Sequence, residues 1–271
     1  MATTIYWFSG TGNSLHTARA IASGLEDQTQ VISLARAWQA GETPPPGSRV
    51  GLVFPVYAWG PPLLVRRFVR KLPAEAVSSV FAVATYAGTL GPTLETLQRQ
   101  LAERGLKMEN GFAVKLPENY PPMGGPPGEE KQKRIIDRAE QKIQEIIACL
   151  NQPEPVGLES PNLLTRLLGK VANPVFSRRV STADKNFYAD EKCNQCGVCA
   201  RVCPVDNIAM PDQRPQWLGH CEQCFACLHW CPQAAIQYGR RSRRQPRYHH
   251  PAVGLNDFIK PPQGGGSHEP E

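Results

Sequence analysis

The chain has 271 residues, 41% of them hydrophobic, and a formal charge of +6, which is enough for two domains with proper cores. No apolar run reaches the roughly 18 residues that a membrane span needs. Met1-Ala2-Thr3-Thr4 leads straight into apolar residues 5–8 without a basic leader, so a cytoplasmic protein is expected. Eight of the nine cysteines lie between Cys193 and Cys231; at that density in a cytoplasmic chain they argue against a disulfide framework and for a metal site.

The first 150 residues alternate short apolar runs with amphipathic stretches. Residues 4–8 read as a buried strand, followed by a helix with Leu15, Ala18, Ile21, Ala22 and Leu25 on one face. Strands are expected at 31–34, 49–55, 80–85 and 111–116. Helices are expected at 63–72, at 92–104 with Gly105 as its stop, and at 129–150, where Ile135, Ala139, Ile143, Ile146 and Leu150 form a stripe. This alternation predicts an α/β fold, a five-stranded parallel sheet covered on both faces.

Residues 117–128 (PENYPPMGGPPG) hold too many breakers for regular structure, and residues 152–159 read as a polar linker. A packing helix is expected next, with Ser160 as N-cap, Pro161 in its first turn, and Leu163, Leu164, Leu167, Leu168 and Val171 apolar. The expected divisions are therefore 1–151, a linker and helix at 152–183, a cysteine-rich domain at 184–239, and a basic, partly disordered tail at 240–271, with disorder expected in its last ten residues.

The cysteine-rich segment is an internal repeat. CNQCGVCARVCPVDNI at 193–208 and CEQCFACLHWCPQAAI at 221–236 are offset by 28 residues. Three closely spaced thiolates can wrap one corner of an iron–sulfur cubane, whose remaining iron needs a ligand from elsewhere. Zinc favours two separated ligand pairs around one tetrahedral ion and fits runs of four cysteines poorly. The spacing C-x2-C-x2-C-x3-C-P is that of two-cluster ferredoxins, in which each motif lends its last cysteine to the other [4Fe–4S] cluster. The expected ligand sets are Cys193, Cys196, Cys199 and Cys231 for one cluster, and Cys221, Cys224, Cys227 and Cys203 for the second. Val198, Ile208, Phe225, Ile236, Phe187 and Tyr188 are expected to keep water from them.

Ser9-Gly10-Thr11-Gly12-Asn13-Ser14, between the first strand and its helix, suits a phosphate: N–H groups at a helix N-terminus and hydroxyls all donate. It lacks the Gly-Lys-Ser/Thr ending of a Walker loop and the spacing of the dinucleotide fingerprint. Val56-Tyr57-Ala58-Trp59-Gly60 and Thr85-Tyr86-Ala87-Gly88 follow the third and fourth strands. All three loops should lie together at the carboxyl edge of the sheet, where two of them could bracket a flat ring.

At these residues the chain resembles flavodoxin, whose phosphate loop T/S-x-T-G-x-S/T is matched by Ser9, Thr11, Gly12 and Ser14. The resemblance implies FMN, with its phosphate on the 9–14 loop and its ring between the 56–60 and 85–88 loops. The whole chain resembles the flavodoxin–ferredoxin fusion proteins, including Asn119-Tyr120 and Tyr248-His249-His250-Pro251. It implies a flavodoxin-like doubly wound sheet followed by a small α+β two-cluster ferredoxin-like domain. The function implied is electron transfer between clusters and flavin, as an FMN-dependent oxidoreductase with a small-molecule substrate or as a carrier between redox protein partners.

Two clusters add about −4 and an FMN phosphate about −2, so the positive charge of the bare chain gives no case for nucleic acid. A redox-sensing regulator touching nucleic acid through Arg240, Arg241, Arg243, Arg244 and Arg247 would need a reading helix or an aromatic–basic platform, and neither is evident. Docking of an acidic redox partner is the functional reading of those arginines. Cys149, His16 and His220 have no partners by spacing and are expected to be structural, and His249-His250 in a mobile tail would make a poor metal site.

Overall fold

The computed structural model describes residues 2–159 and 163–259. The expectations for Ser160 and Pro161 and for the last ten residues lie outside them. The expected apolar face of Leu163, Leu164, Leu167, Leu168 and Val171 lies outside the described side chains.

The N-terminal part runs β1 (Ala2–Trp7), α1 (Asn13–Gly24), β2 (Gln28–Ser33), α2 (Leu34–Ala40), β3 (Ser48–Pro55), α3 (Leu63–Val69), β4 (Val77–Tyr86), α4 (Thr93–Ala102), β5 (Met108–Lys115), α5 (Glu129–Leu150) and β6 (Gly157–Leu158). All strand pairs are parallel, in the order β2-β1-β3-β4-β5-β6. The 2-1-3-4-5 order is that of the flavodoxin-like doubly wound sheet, and its ligand edge is the carboxyl end of the strands.

One core lies between the sheet and α1 and α5, built on Ile5, Leu15, Ile21, Val83, Phe112 and Ile143. The other lies under α2, α3 and α4, built on Phe8, Leu34, Phe54, Leu64, Leu97 and Leu101. Strands buried on both faces can be apolar throughout, which explains the unbroken runs at 50–54 and 80–84.

Two elements differ from expectation. Gly157 and Leu158, in the segment expected to be linker, pair with Asn110 and Gly111 as a sixth, edge strand, where Val156 N–H donates to Asn110 Oδ1 at 2.8 Å. Leu34, read as a strand end, begins α2; Ser33 Oγ accepts the Arg36 N–H and caps it.

After α6 (Leu163–Arg179), which carries Pro174 inside it, come β7 (Phe187–Ala189), α7 (Val198–Arg201), β8 (Ile208–Ala209), β9 (Gln216–Trp217), α8 (Ala226–His229) and β10 (Ile236–Tyr238). β10 pairs antiparallel with β7, and β8 with β9. The 28-residue repeat is a repeat of backbone as well. Left-handed residues recur at Gln195 and Gln223, at Gly197 and Phe225, and at Asp206 and Ala234.

The stretch expected to be an irregular tail is packed through residue 259. Arg247 Nη2 donates to the Ala234 and Ile236 carbonyls at 3.0 and 2.8 Å. Beyond it Tyr248, His250, Val253 and Phe258 are buried. Phe258 meets Trp7 of β1 and Trp230. This arm, residues 247–259, crosses from the cysteine-rich module to the carboxyl edge of the sheet. Among the described residues, no helix is long and apolar enough to cross a membrane.

Candidate iron–sulfur centre and the glycine-rich loop

The thiols gather in two groups. Beyond its own burial, Cys199 feels Cys231, Cys196 and Cys193; Cys221 feels Cys203, Cys224 feels Cys203 and Cys221, and Cys227 feels Cys224, Cys221, Cys203 and, last, Cys199. The last cysteine of each motif is thus among the electrostatic neighbours of the other motif's cysteines. Burial, reinforced by neighbouring thiols, pushes Cys199 and Cys221 up to about 12 and holds Cys224 and Cys227 well above the ordinary thiol range. Thiolates in such a place need a positive core, so the donor set fits iron–sulfur clusters.

The surroundings suit the same chemistry. Backbone N–H groups of Asn207, Gln223 and Ala235 donate to Cys203, Cys221 and Cys231 at 3.3, 3.1 and 3.3 Å. Phe187, Ile208, Phe225, Leu228 and Ile236 form one apolar cluster with the cysteines. Val198, expected among them, packs instead into the core beneath α1 and α5, and Tyr188 stands half-exposed with Arg243 against its ring.

The two halves differ in wetness. Cys196 is exposed, with Gly197 beside it. At the matching place in the second motif, Phe225 keeps the left-handed turn and packs its ring on Tyr120, Phe187 and Tyr238 at 5.3, 5.4 and 5.0 Å.

The second motif lies against the sheet. Glu222, between Cys221 and Cys224, accepts the Leu64 N–H at 3.1 Å at the start of α3 and faces Arg67 at 3.9 Å. Trp230 Nε1 donates to the Gly10 carbonyl at 2.9 Å. A Cβ at Gly10 would stand 2.0 Å from the Cys224 carbonyl oxygen, so only glycine fits there.

The three loops do share the carboxyl edge. The chemistry of the 9–14 loop suits a phosphate: α1 has no side-chain cap, and its start carries Ser9, Thr11 and Ser14. The space does not. Ser9, Gly10, Thr11, Gly12, Asn13 and Ser14 are all buried. Gly12 N–H donates to Ser9 Oγ at 3.0 Å, and Ser14 Oγ pairs with Thr85 Oγ1 at 2.8 Å. Thr11 Oγ1 accepts from Asn119 Nδ2 at 2.6 Å, while the Thr11 carbonyl takes the His250 N–H at 2.8 Å. Tyr248 donates its hydroxyl to Asn13 Oδ1 at 2.7 Å.

The loops that were to bracket a ring are also engaged. Ala58 and Trp59 form a left-handed turn closed by two hydrogen bonds between Tyr57 and Gly60. Val56 N–H donates to the Thr85 carbonyl at 2.8 Å. Tyr57 points inward, its ring near Phe8 and Phe176, and Trp59 Nε1 donates to Thr89 Oγ1 at 2.6 Å. Tyr86, Ala87 and Gly88 differ, lining a cleft of about 760 Å3 with Lys115, Glu118 and Arg138. As folded, the 9–14 loop is buried and the 56–60 turn is closed on itself, while Tyr86, Ala87 and Gly88 border the open cleft.

Sequence reasoning missed the residues that seat the module. His229 Nε2 donates to the Asn119 carbonyl at 2.8 Å and its Nδ1 accepts the Tyr248 N–H at 3.1 Å, with burial lowering its pKa to about 4. Only the resemblance at Asn119-Tyr120 and Tyr248-His249-His250 had marked these segments. His16 and His220 also have partners: His16 Nε2 meets Glu140 Oε1 at 2.6 Å and its ring stacks on His250 at 4.0 Å, and His220 Nε2 meets the Val205 carbonyl at 3.1 Å. His16, Glu140 and His250 bring ligand atoms within 4.8 Å of one another. However, His250 Nδ1 accepts the Ala252 N–H at 3.3 Å, so in the neutral ring Nε2 carries the proton and offers no lone pair to a metal.

Residues 185–245 match the 4Fe-4S dicluster domain family. No curated protein matches the chain. Among solved structures, an archaeal flavodoxin is 18% identical with a TM-score of 0.32, covering 55% of this chain and 99% of that one. Megasphaera elsdenii flavodoxin is 13% identical with a TM-score of 0.33, covering 52% and 98%. Rubredoxin oxygen:oxidoreductase from Desulfovibrio gigas is 13% identical with a TM-score of 0.34, covering 54% of this chain but only 36% of its own length. The fold assignment rests on the strand order. A flavodoxin-like sheet is thus followed by a segment that matches the 4Fe-4S dicluster family, a pairing consistent with a flavodoxin–ferredoxin fusion.

Proposed function

We propose that the chain is a cytoplasmic electron-transfer protein whose eight motif cysteines hold two [4Fe–4S] clusters in crossed sets. Cys193, Cys196, Cys199 and Cys231 would hold one, and Cys221, Cys224, Cys227 and Cys203 the other. The observation that supports this reading is that Cys231 is the first thiol acting on Cys199 and Cys203 the first acting on Cys221 and Cys224. Each cluster, when bound, supplies a one-electron couple. The chain's own residues set its surroundings: the aromatic and aliphatic wall excludes water, and backbone N–H groups donate to sulfur.

Redox proteins are the proposed partners. Arg240, Arg241, Arg243 and Arg244 line an open surface cleft of about 710 Å3 beside Tyr188. Arg247, which clamps this segment to β10, lies in the field of Cys231 and also of Cys227. The exposed arginines beside it support an acidic partner docking on this face.

The FMN-dependent oxidoreductase reading has the chemistry of the 9–14 loop in its favour, and the cleft beside Gly88, Gly125 and Pro127 offers room for a small molecule. The loop lies buried beneath the cysteine-rich module and the 247–259 arm, so no step is assigned to the flavin. The carrier reading needs only the clusters.

The test is iron, sulfide and zinc content of protein purified without oxygen, with paramagnetic resonance after reduction. About eight iron and eight sulfide per chain, with two interacting paramagnets, is the expected result. Zinc in their place, or iron for a single cluster, would sink the proposal.

A further inference from the structure

The sequence of the 9–14 loop suits a phosphate, yet Gly10, Thr11, Gly12 and Asn13 are covered by other parts of this chain. The cover has three parts. The second cysteine motif comes closest: the Cys224 carbonyl oxygen lies where a Cβ of Gly10 would be, and Trp230 Nε1 bonds the Gly10 carbonyl. The 247–259 arm adds the His250 N–H on the Thr11 carbonyl, the Tyr248 hydroxyl on Asn13, and Val253, whose Cβ stands 2.9 Å from where a Gly12 side chain would begin. Asn119 completes the cover with its amide on Thr11 Oγ1, and His229 ties Asn119 to the Tyr248 N–H.

A module placed by chance would not meet the loop atom by atom. Here two loop glycines sit where close approach is needed, and two loop carbonyls and two loop side chains are hydrogen-bonded to the cover. We infer that in this chain the 9–14 loop is the seat of the iron–sulfur module and its C-terminal arm, and that a flavin phosphate and the seated arm exclude one another. The inference concerns the loop's occupant and stands apart from the electron-transfer proposal, which iron content decides.

The experiment uses the full cluster-loaded chain without oxygen, FMN as the probe, and amide exchange at residues 9–14 and 248–253 as the readout. No FMN binding, with both segments protected, is the expected result; FMN binding accompanied by loss of protection at 248–253 supports exclusion equally. One FMN bound per chain with 248–253 still protected would overturn it. Gly10→Ala, which forces a methyl group against the Cys224 carbonyl, should speed exchange of both segments by about tenfold or more. Unchanged protection in that variant overturns the seat. If Gly10→Ala fails to fold, Tyr248→Phe, which deletes only the hydroxyl on Asn13, should speed exchange at 9–14, and no change there counts against the seat in the same way.

Discussion

His250 is 1% exposed, stacked on His16 near Glu140, with His249 next to it in sequence, and its Nε2 has no partner among the described residues. Burial, with the nearby His16 and His249, lowers its pKa to about 3. A histidine whose folded pKa is depressed is neutral in the fold and charged in the open chain at intermediate pH. Its cost to the docked arm is therefore absent above about pH 6.5 and grows as pH falls toward 3, by at most about 1.4 kcal/mol per pH unit. The protection factor of the 248–253 amides, which is exchange referred to that of the unfolded chain at the same pH, should fall over that window, and His250→Gln should flatten the dependence. A second prediction concerns Cys203. If it belongs with Cys221, Cys224 and Cys227, Cys203→Ser should lower iron from about eight to about four per chain and leave the cluster on Cys193, Cys196, Cys199 and Cys231. Losing that one instead would mean that the sets are not crossed.

Trp230, in the turn after α8, anchors the module: its ring stacks on His249 at 4.8 Å and its N–H holds the Gly10 carbonyl. Trp230→Phe would keep most of the apolar contact and leave that buried carbonyl unpaired, a cost of about 1–3 kcal/mol. Faster exchange in the 9–14 loop, with iron content intact, is the expected result. At this scale legibility in the sequence followed length. The 22-residue α5 has the bounds its stripe predicts, with Ala139, Ile143, Ile146 and Leu150 buried. The seven residues of α2 carry too few turns for a period to show, and two-residue β6 leaves no alternation at all. The cysteine spacing was legible because a cluster demands thiols at fixed intervals along one segment. The cover on the 9–14 loop was not, since Trp230 and Gly10 are 220 residues apart and neither residue type announces the other.

For the whole molecule, charge decides where a partner can come. The arginines at 240, 241, 243 and 244 are exposed and line one surface cleft. Arg241→Glu with Arg244→Glu should slow electron exchange with an acidic one-electron protein, such as a plant-type ferredoxin, by about tenfold or more at low salt. The difference should fade as ionic strength rises. Equal rates at all salt concentrations would move the docking face elsewhere.

The repeat began as two nearly equal halves, and the turn after the second cysteine has made them unequal. Where the first half has Gly197 and an exposed thiol, the second has Phe225 and three aromatic neighbours, and beyond it lies the sheet. A pair related by pseudo-symmetry could in principle trade electrons with the outside at either end. With two clusters bound, the two ends of this one would differ: Cys196 is exposed, while Phe225 and its aromatic neighbours wall the turn beside Cys224. Electrons would then enter and leave more readily at the Cys196 end, which would make the molecule closer to a two-electron store than to a wire.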